Sequence, residues 1–130
     1  MKVKHFIFSV LILIFPVLYL QASEKPEDKK IGIEMPANVK AVVEKSCYGC
    51  HHTDSRNEDA KEELDFKTLG DLKVFKKIGA LRDIAEVIEE EEMPPKKFLE
   101  NYPERAPSEE EQKLLADWVK KEAQRLIDSQ

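Results

Sequence analysis

The stretch that decides the fold is Cys47-Tyr48-Gly49-Cys50-His51, which contains both cysteines of this 130-residue chain. Two cysteines three positions apart on a helical turn point the same way. The imidazole of His51 follows directly, so two thiols and one nitrogen ligand lie within a segment of five residues. The segment is therefore the first candidate for the chemistry of the protein.

The spacing C-x-x-C-H is the signature of covalent haem c attachment. Each thiol can form a thioether to one of the two vinyl groups on one haem edge, and His51 can then reach the iron as the proximal ligand. We therefore predict one haem c per chain, attached to Cys47 and Cys50 and ligated by His51. The other ring nitrogen of His51 is expected to donate a hydrogen bond to a backbone carbonyl.

A dithiol redox pair, a disulfide and a zinc site are less well supported by this motif. A redox pair or a disulfide would not require His51. A zinc site needs four ligands, and His51 and His52 are too crowded as neighbours to complete a tetrahedron with the two cysteines. We expect His52 to face solvent.

The second axial ligand is sought among His52, Met35 and Met93. Met93 ends an amphipathic helix and precedes Pro94 and Pro95, a stiff segment that can hold a thioether against the iron. Met35 lies just upstream of the helix that carries the cysteines, where packing is the plainer role. We predict Met93 as the ligand, with an open or exchangeable site as the alternative.

The N-terminus predicts export. Lys2 and Lys4 precede an apolar stretch at residues 6–20, and Ala22 offers a small residue for cleavage. Residues 1–22 are thus predicted to be a signal peptide that directs the protein to the periplasm, or an uncleaved membrane anchor. Residues 23–35 are predicted to be a flexible tether and residues 36–130 the haem-binding domain.

Without residues 1–22 the chain is acidic and poor in core-forming residues. Loss of Lys2 and Lys4 takes the formal net charge from −5 to −7, and about 35% of the remaining residues are apolar. The charge argues against nucleic acid as a partner. The low apolar content predicts that a porphyrin supplies part of the core and that the haem-free protein is largely unfolded. The residues expected around it are Val39, Val42, Leu81, Ile84, Ile88, Leu115 and Trp118.

The remaining pattern has four helical segments and no alternating strand pattern, which predicts an all-α domain. One helix is expected at residues 36–46, and a second, of about three turns, has Leu81, Ile84, Ala85 and Ile88 on one face. A third begins at Ser108, where Ser108 and Glu111 match a capping box. Residues 53–63 are predicted to be a loop or a solvated helix start, residues 64–75 show no single element, and four prolines predict an irregular loop at 94–107.

The order of C-x-x-C-H, a helix ending at Met93-Pro94, and a capped helix with Leu115 and Trp118 resembles small bacterial c-type cytochromes, specifically the haem-binding domain family of exported monohaem proteins. The resemblance covers residues 36–123. It implies a cytochrome c-like helical fold around one covalent haem, with His51 and Met93 as axial ligands.

An iron with two protein ligands has no open position, which favours a one-electron carrier in the periplasm over an enzyme. A peroxidase would need a distal His or Arg, and none is evident. The alternative is a haem-based sensor or small-ligand binder with a displaceable Met93. The glutamates at residues 89–92 are either a solvated helix end or a surface that steers redox partner proteins with a basic docking face. Membrane contact is expected only if the N-terminal segment is not cleaved.

Overall fold

A computed structural model describes residues 31–130, and within this range the chain is helical with no β-strand, which confirms the predicted all-α class. Five α-helices and two short 3-10 turns follow one another. The helices are α1 (Ala37–Ser46), α2 (Glu58–Glu63), α3 (Val74–Glu89), α4 (Lys96–Asn101) and α5 (Glu109–Asp128), and the 3-10 turns are Leu69–Asp71 and Pro103–Arg105.

The two longest helices, α3 and α5, form the principal helix pair, and α1 packs against α5. Each contributes one apolar face, as the 3.6-residue period requires. The core that these faces form consists of Val39, Val42, Val43, Val74, Leu81, Ile84, Leu115, Trp118, Val119, Ala123 and Leu126.

The start of α5 has the predicted capping box. The Ser108 hydroxyl accepts a hydrogen bond from the Glu111 backbone N–H, and the Glu111 carboxylate accepts one from the Ser108 backbone N–H at 2.7 Å. Two donors that the helix itself cannot satisfy are thereby paired. The same carboxylate binds the Lys45 ammonium, which ties the start of α5 to the end of α1.

The helix that precedes Met93 is longer than predicted, because α3 already begins at Val74. Its end is a Schellman motif, in which the N–H of Glu91 bonds to the Ile88 carbonyl and the N–H of Glu92 to the Val87 carbonyl. Glu91 has a φ of 55°, in the left-handed region usually reserved for glycine. The chain therefore turns back two residues before Met93.

The prediction of an irregular loop at residues 94–107 is wrong in part. The prolines begin short helices there, since Pro95 is the N-cap of α4 and Pro103 is the first residue of a 3-10 turn. Proline fits the first turn of a helix because its fixed φ suits that position and its missing N–H has no partner to lose.

Residues 31–35 pack against the helices, whereas the sequence predicted a tether as far as residue 35. Ile31, Ile33 and Met35 contact the core, and the buried Lys77 ammonium donates a hydrogen bond to the Ile31 carbonyl. The predicted signal peptide and the first part of the tether lie outside the described residues. Between residues 31 and 130, no helix has the length and apolarity that crossing a membrane requires.

Candidate functional site

A cavity of about 270 Å³ opens between α1, α3 and α5. Its lining is largely apolar. The apolar side chains that form it include Val43, Leu64, Phe66, Ile84, Val87, Ile88, Leu115 and Trp118. Of the residues expected around a haem, Ile84, Ile88, Leu115 and Trp118 thus line the cavity, while Val39, Val42 and Leu81 are buried in the core and do not line it.

A second cavity of about 150 Å³ adjoins the first, and the two share Ser46, Cys47, His51, Met93 and Pro94. We call them together the cleft. Cys50 lines the second cavity. The structure therefore brings all four predicted site residues, Cys47, Cys50, His51 and Met93, to one cleft, although 42 positions separate His51 from Met93.

The His51 ring is fixed by two backbone carbonyls. Its Nδ1 lies 2.8 Å from the Ala60 oxygen and 3.1 Å from the Leu64 oxygen. Both partners are acceptors, so Nδ1 carries a proton, and in the neutral ring Nε2 has the free lone pair. This is the tautomer that a metal-ligating imidazole needs, and a carbonyl partner on the other nitrogen is the usual way to hold it.

The segment after the motif folds around His51. The Phe66 N–H donates to the His51 carbonyl at 3.2 Å, and the Phe66 ring meets the imidazole edge-on at 6.4 Å. Two polar contacts close this segment on itself: Thr53 donates to Asp65 at 2.6 Å, and Lys67 pairs with Asp54 at 2.6 Å. The Lys67 hydrogen bond and charge lower the pKa of Asp54.

The cysteines are free thiols, and burial raises the pKa of Cys47 to about 11. A reactive redox dithiol shows the opposite, because its attacking cysteine has a lowered pKa. No group of three His, Cys, Asp or Glu side chains in residues 31–130 is placed to hold a metal ion. The raised pKa of Cys47 is thus unlike that of the attacking cysteine of a redox dithiol.

Met93 is 41% exposed at the edge of the cleft, and its N–H bonds to the Val87 carbonyl at 3.3 Å. Met35 packs against the core, as expected. His52 differs from expectation, since it is half-buried rather than solvent-facing. Its ring stacks on Tyr48 with centroids 4.8 Å apart, and its Nδ1 is buried without a hydrogen-bond partner.

Trp118 is held in the cleft wall by residues 31–35. Its indole N–H donates to the Glu34 carbonyl at 2.8 Å, and the Glu34 N–H donates to the buried Glu122 carboxylate at 2.6 Å. Burial acts to raise the pKa of Glu122, but hydrogen bonds from Arg125 and from the Glu34 backbone outweigh it, and the pKa is lowered. Arg125 also donates to the Gly32 carbonyl at 2.6 Å.

The predicted hydrogen bond from the second ring nitrogen of His51 to a backbone carbonyl is present, but the sequence did not identify Ala60 and Leu64 as the acceptors or predict the contribution of Glu34. A backbone carbonyl has no residue signature, so no sequence signal could identify these acceptors. Glu122 was detectable, because it falls on the same helix face as Leu115, Trp118, Val119 and Leu126. A charged residue at a core position indicates a buried partner.

A model of the family described as "haem-binding domain" matches residues 56–121, just over half of the chain. The chain belongs to the haem-binding domain family. The match includes Met93 and α3 but begins five residues after His51. No curated protein and no solved structure matches this chain.

The cleft of this haem-binding domain fits the group that the family name implies. Its apolar walls suit the faces of a porphyrin, His51 presents a free Nε2 lone pair, and Met93 contributes a thioether. Cys47 and Cys50 have unpaired thiols in the same cleft. These four residues would hold the haem.

Proposed function

We propose that this haem-binding domain carries one covalent haem c and acts as an exported one-electron carrier. The observation that supports the proposal is the meeting of Cys47, Cys50, His51 and Met93 at one apolar cleft. When bound, the haem iron supplies a centre that gains and loses one electron.

The protein holds the side chains that would ligate the iron in a fixed geometry. This favours electron transfer, because few atoms have to move when the oxidation state changes. The carbonyls of Ala60 and Leu64 fix the His51 ring, and the Schellman motif at the end of α3 fixes the backbone at Met93. Trp118 and Leu115 line the cleft with apolar surface. A low dielectric around the iron disfavours the extra charge of the ferric state, and a soft sulfur ligand acts in the same direction.

Covalent attachment is tested by a haemochrome assay on the full chain, produced together with a haem-attachment system. We expect one haem per chain that resists acid–acetone extraction. Cys47→Ser/Cys50→Ser should lose covalent haem, while the matched surface variant Ser129→Ala should retain it. Extractable or absent haem in the unsubstituted chain would refute the proposal.

The glutamates at residues 89–92 are proposed to steer a basic redox partner. All four side chains are exposed, although Glu89 also pairs with Lys120 at 2.6 Å. Neutralising Glu90 and Glu92 should slow electron transfer with a basic partner protein at low ionic strength, and the difference should vanish in high salt. An ionic-strength profile that is flat for the unsubstituted protein excludes steering.

Export is proposed from the sequence of residues 1–22, and N-terminal sequencing of the mature protein tests it. A chain that starts near Ser23 supports a periplasmic carrier. A chain that retains Met1 and fractionates with membranes supports an anchored one, and a chain that retains Met1 in the cytoplasm contradicts export.

The second candidate function is a haem-based sensor or small-ligand binder, in which Met93 would be displaceable from the iron. Carbon monoxide binding to the reduced unsubstituted protein discriminates the two functions. Rapid and complete binding supports the sensor, and no binding supports the carrier.

A further inference from the structure

The charged side chains that line the cleft all carry the same sign. Besides His51 and the two cysteines, the cleft lining has two ionisable side chains. These are Glu63, from the end of α2, and Asp83, from α3. No lysine or arginine appears among the described residues that line either cavity. The contributions of α1, α4, α5 and the Met93–Pro95 turn are formally uncharged: Val43, Ser46, Leu115, Trp118, Met93, Pro94, Pro95 and Phe98.

Within residues 31–130, no side chain forms an ion pair with either carboxylate. The side chains of Glu63 and Asp83 make no hydrogen bond or ion pair with another described residue, whereas Glu89, Glu111 and Glu122 pair with Lys120, Lys45 and Arg125, respectively. The cleft therefore has two carboxylates at its edge that no described side chain pairs directly. Asp83 also lines a neighbouring surface pocket with Arg82 and Lys120, without an ion pair to either.

Reduction of a haem iron lowers its positive charge by one. A nearby negative charge stabilises the oxidised form more than the reduced form, and the difference decreases with distance and with dielectric. Solvent screens exposed carboxylates, but the apolar side chains that line the cleft beside them screen much less. Two carboxylates without counter-ions therefore act against the effects of the soft ligand and the apolar walls.

We propose that Glu63 and Asp83 are redox-tuning residues that hold the reduction potential below the value that His51, Met93 and the apolar cleft alone would give. The inference rests on the proposed carrier function and specifies it further. The exchange is one electron taken from a reduced donor protein and passed to an oxidised acceptor protein, with no bond formed and no proton moved. A lowered potential lets this carrier reduce acceptors whose potential is lower than it could otherwise reduce, although the acceptor's potential must still lie above that of the carrier.

The test is the midpoint potential of the full-length holoprotein, measured by spectroelectrochemical titration at low and at high ionic strength. Glu63→Gln and Asp83→Asn are compared with Glu62→Gln and Glu86→Gln. These controls remove one exposed carboxylate each from the same two helices, at positions that do not line the cleft.

We expect both cleft variants to shift the potential in the positive direction, by more than twice the shift of either control. The double variant should give nearly the sum of the two shifts, and high salt should reduce all of them. Cleft variants that shift no more than the controls, or that shift negatively, would overturn the proposal.

Haem content and the low-spin spectrum are recorded on the same samples, which separates the two hypotheses. Normal haem with an unshifted potential refutes only the tuning role. Absence of covalent haem from the unsubstituted protein refutes the carrier function and the tuning role together.

Discussion

The Nδ1 atom of His51 lies 2.8 Å from the carbonyl oxygen of Ala60, a residue in the short helix that follows the C-x-x-C-H motif. Because Ala60 lies only nine positions further along the chain, a local fold sets the tautomer of the predicted iron ligand. The neighbouring His52 has no such partner, and its ring stacks on Tyr48 instead. Two adjacent histidines therefore have separate roles.

The first prediction compares these histidines. His51→Ala should abolish the low-spin spectrum of the holoprotein, because it removes the imidazole that the Ala60 and Leu64 carbonyls orient. His52→Ala should leave the spectrum unchanged. Absorption spectra of both variants at equal protein concentration check this, and a larger effect from His52 would contradict the assignment.

The second prediction compares two methionines. Met93→Ala should open the iron to carbon monoxide in the reduced protein, since Met93 lines both cavities of the cleft. Met35→Ala should not bind carbon monoxide. It should lower the free energy of unfolding by less than the roughly 2–5 kcal/mol typical of a fully buried methionine, because Met35 is only partly buried. If Met35→Ala binds carbon monoxide and Met93→Ala does not, the axial ligand is Met35 and the assignment to Met93 is wrong.

A third prediction concerns the left-handed backbone at Glu91. Glu91→Gly should leave the free energy of unfolding of the holoprotein within about 1 kcal/mol of the original, because relief of strain and added freedom of the unfolded chain offset each other. Glu91→Val should cost about 1 kcal/mol or more and weaken the Met93 ligation band, since a β-branched residue disfavours this φ. Glu90→Val, at a φ of −85°, is the matched control. Equal effects of the two valines would exclude a role for the turn.

A fourth prediction follows from Glu122. Because its pKa is lowered in the folded protein, its charged form stabilises the fold above the pKa of the unfolded chain, about 4.3, and this contribution is lost as the pH falls through the lower folded value. Glu122→Gln should therefore cost about 1–3 kcal/mol at pH 7 and less at pH 3. Asp117→Asn removes an exposed pair on the same helix and should cost under about 1 kcal/mol at either pH. Thermal unfolding at both pH values decides between a pH-dependent and a constant difference.

The fifth prediction concerns the haem-free chain. Circular dichroism of protein without haem, with Cys47 and Cys50 reduced, should show low helicity and no cooperative melt, because the cleft then leaves apolar walls without a partner. The holoprotein should melt cooperatively. A native-like melt of the haem-free chain would show that the helices α3 and α5 suffice for folding.

Periodicity and capping predicted much of the fold. The face with Leu81, Ile84 and Ile88 and the box at Ser108 and Glu111 identified α3 and α5, which form the main helix pair. Helix capping and helical periodicity depend on residues that are close together in the sequence, so a sequence pattern is enough to predict them.

The remaining features depend on contacts between distant segments. Residues 31–35 follow the charged segment at residues 23–30 and are too few to show a periodicity. Only the partners Lys77, Trp118 and Arg125 on distant helices bring them into the domain. The prolines after Met93 predict an interruption but do not say whether a helix starts at them. The motif residues of the site were predictable, whereas the carbonyls that orient His51 depend on the path of the backbone.

The most direct test of the account is the visible absorption spectrum of the oxidised full chain after production with a haem-attachment system. We predict one covalent haem per chain, a low-spin spectrum and a Met-to-iron charge-transfer band that disappears in Met93→Ala. A high-spin spectrum, or a protein without covalent haem, would contradict the assignment of Cys47, Cys50, His51 and Met93.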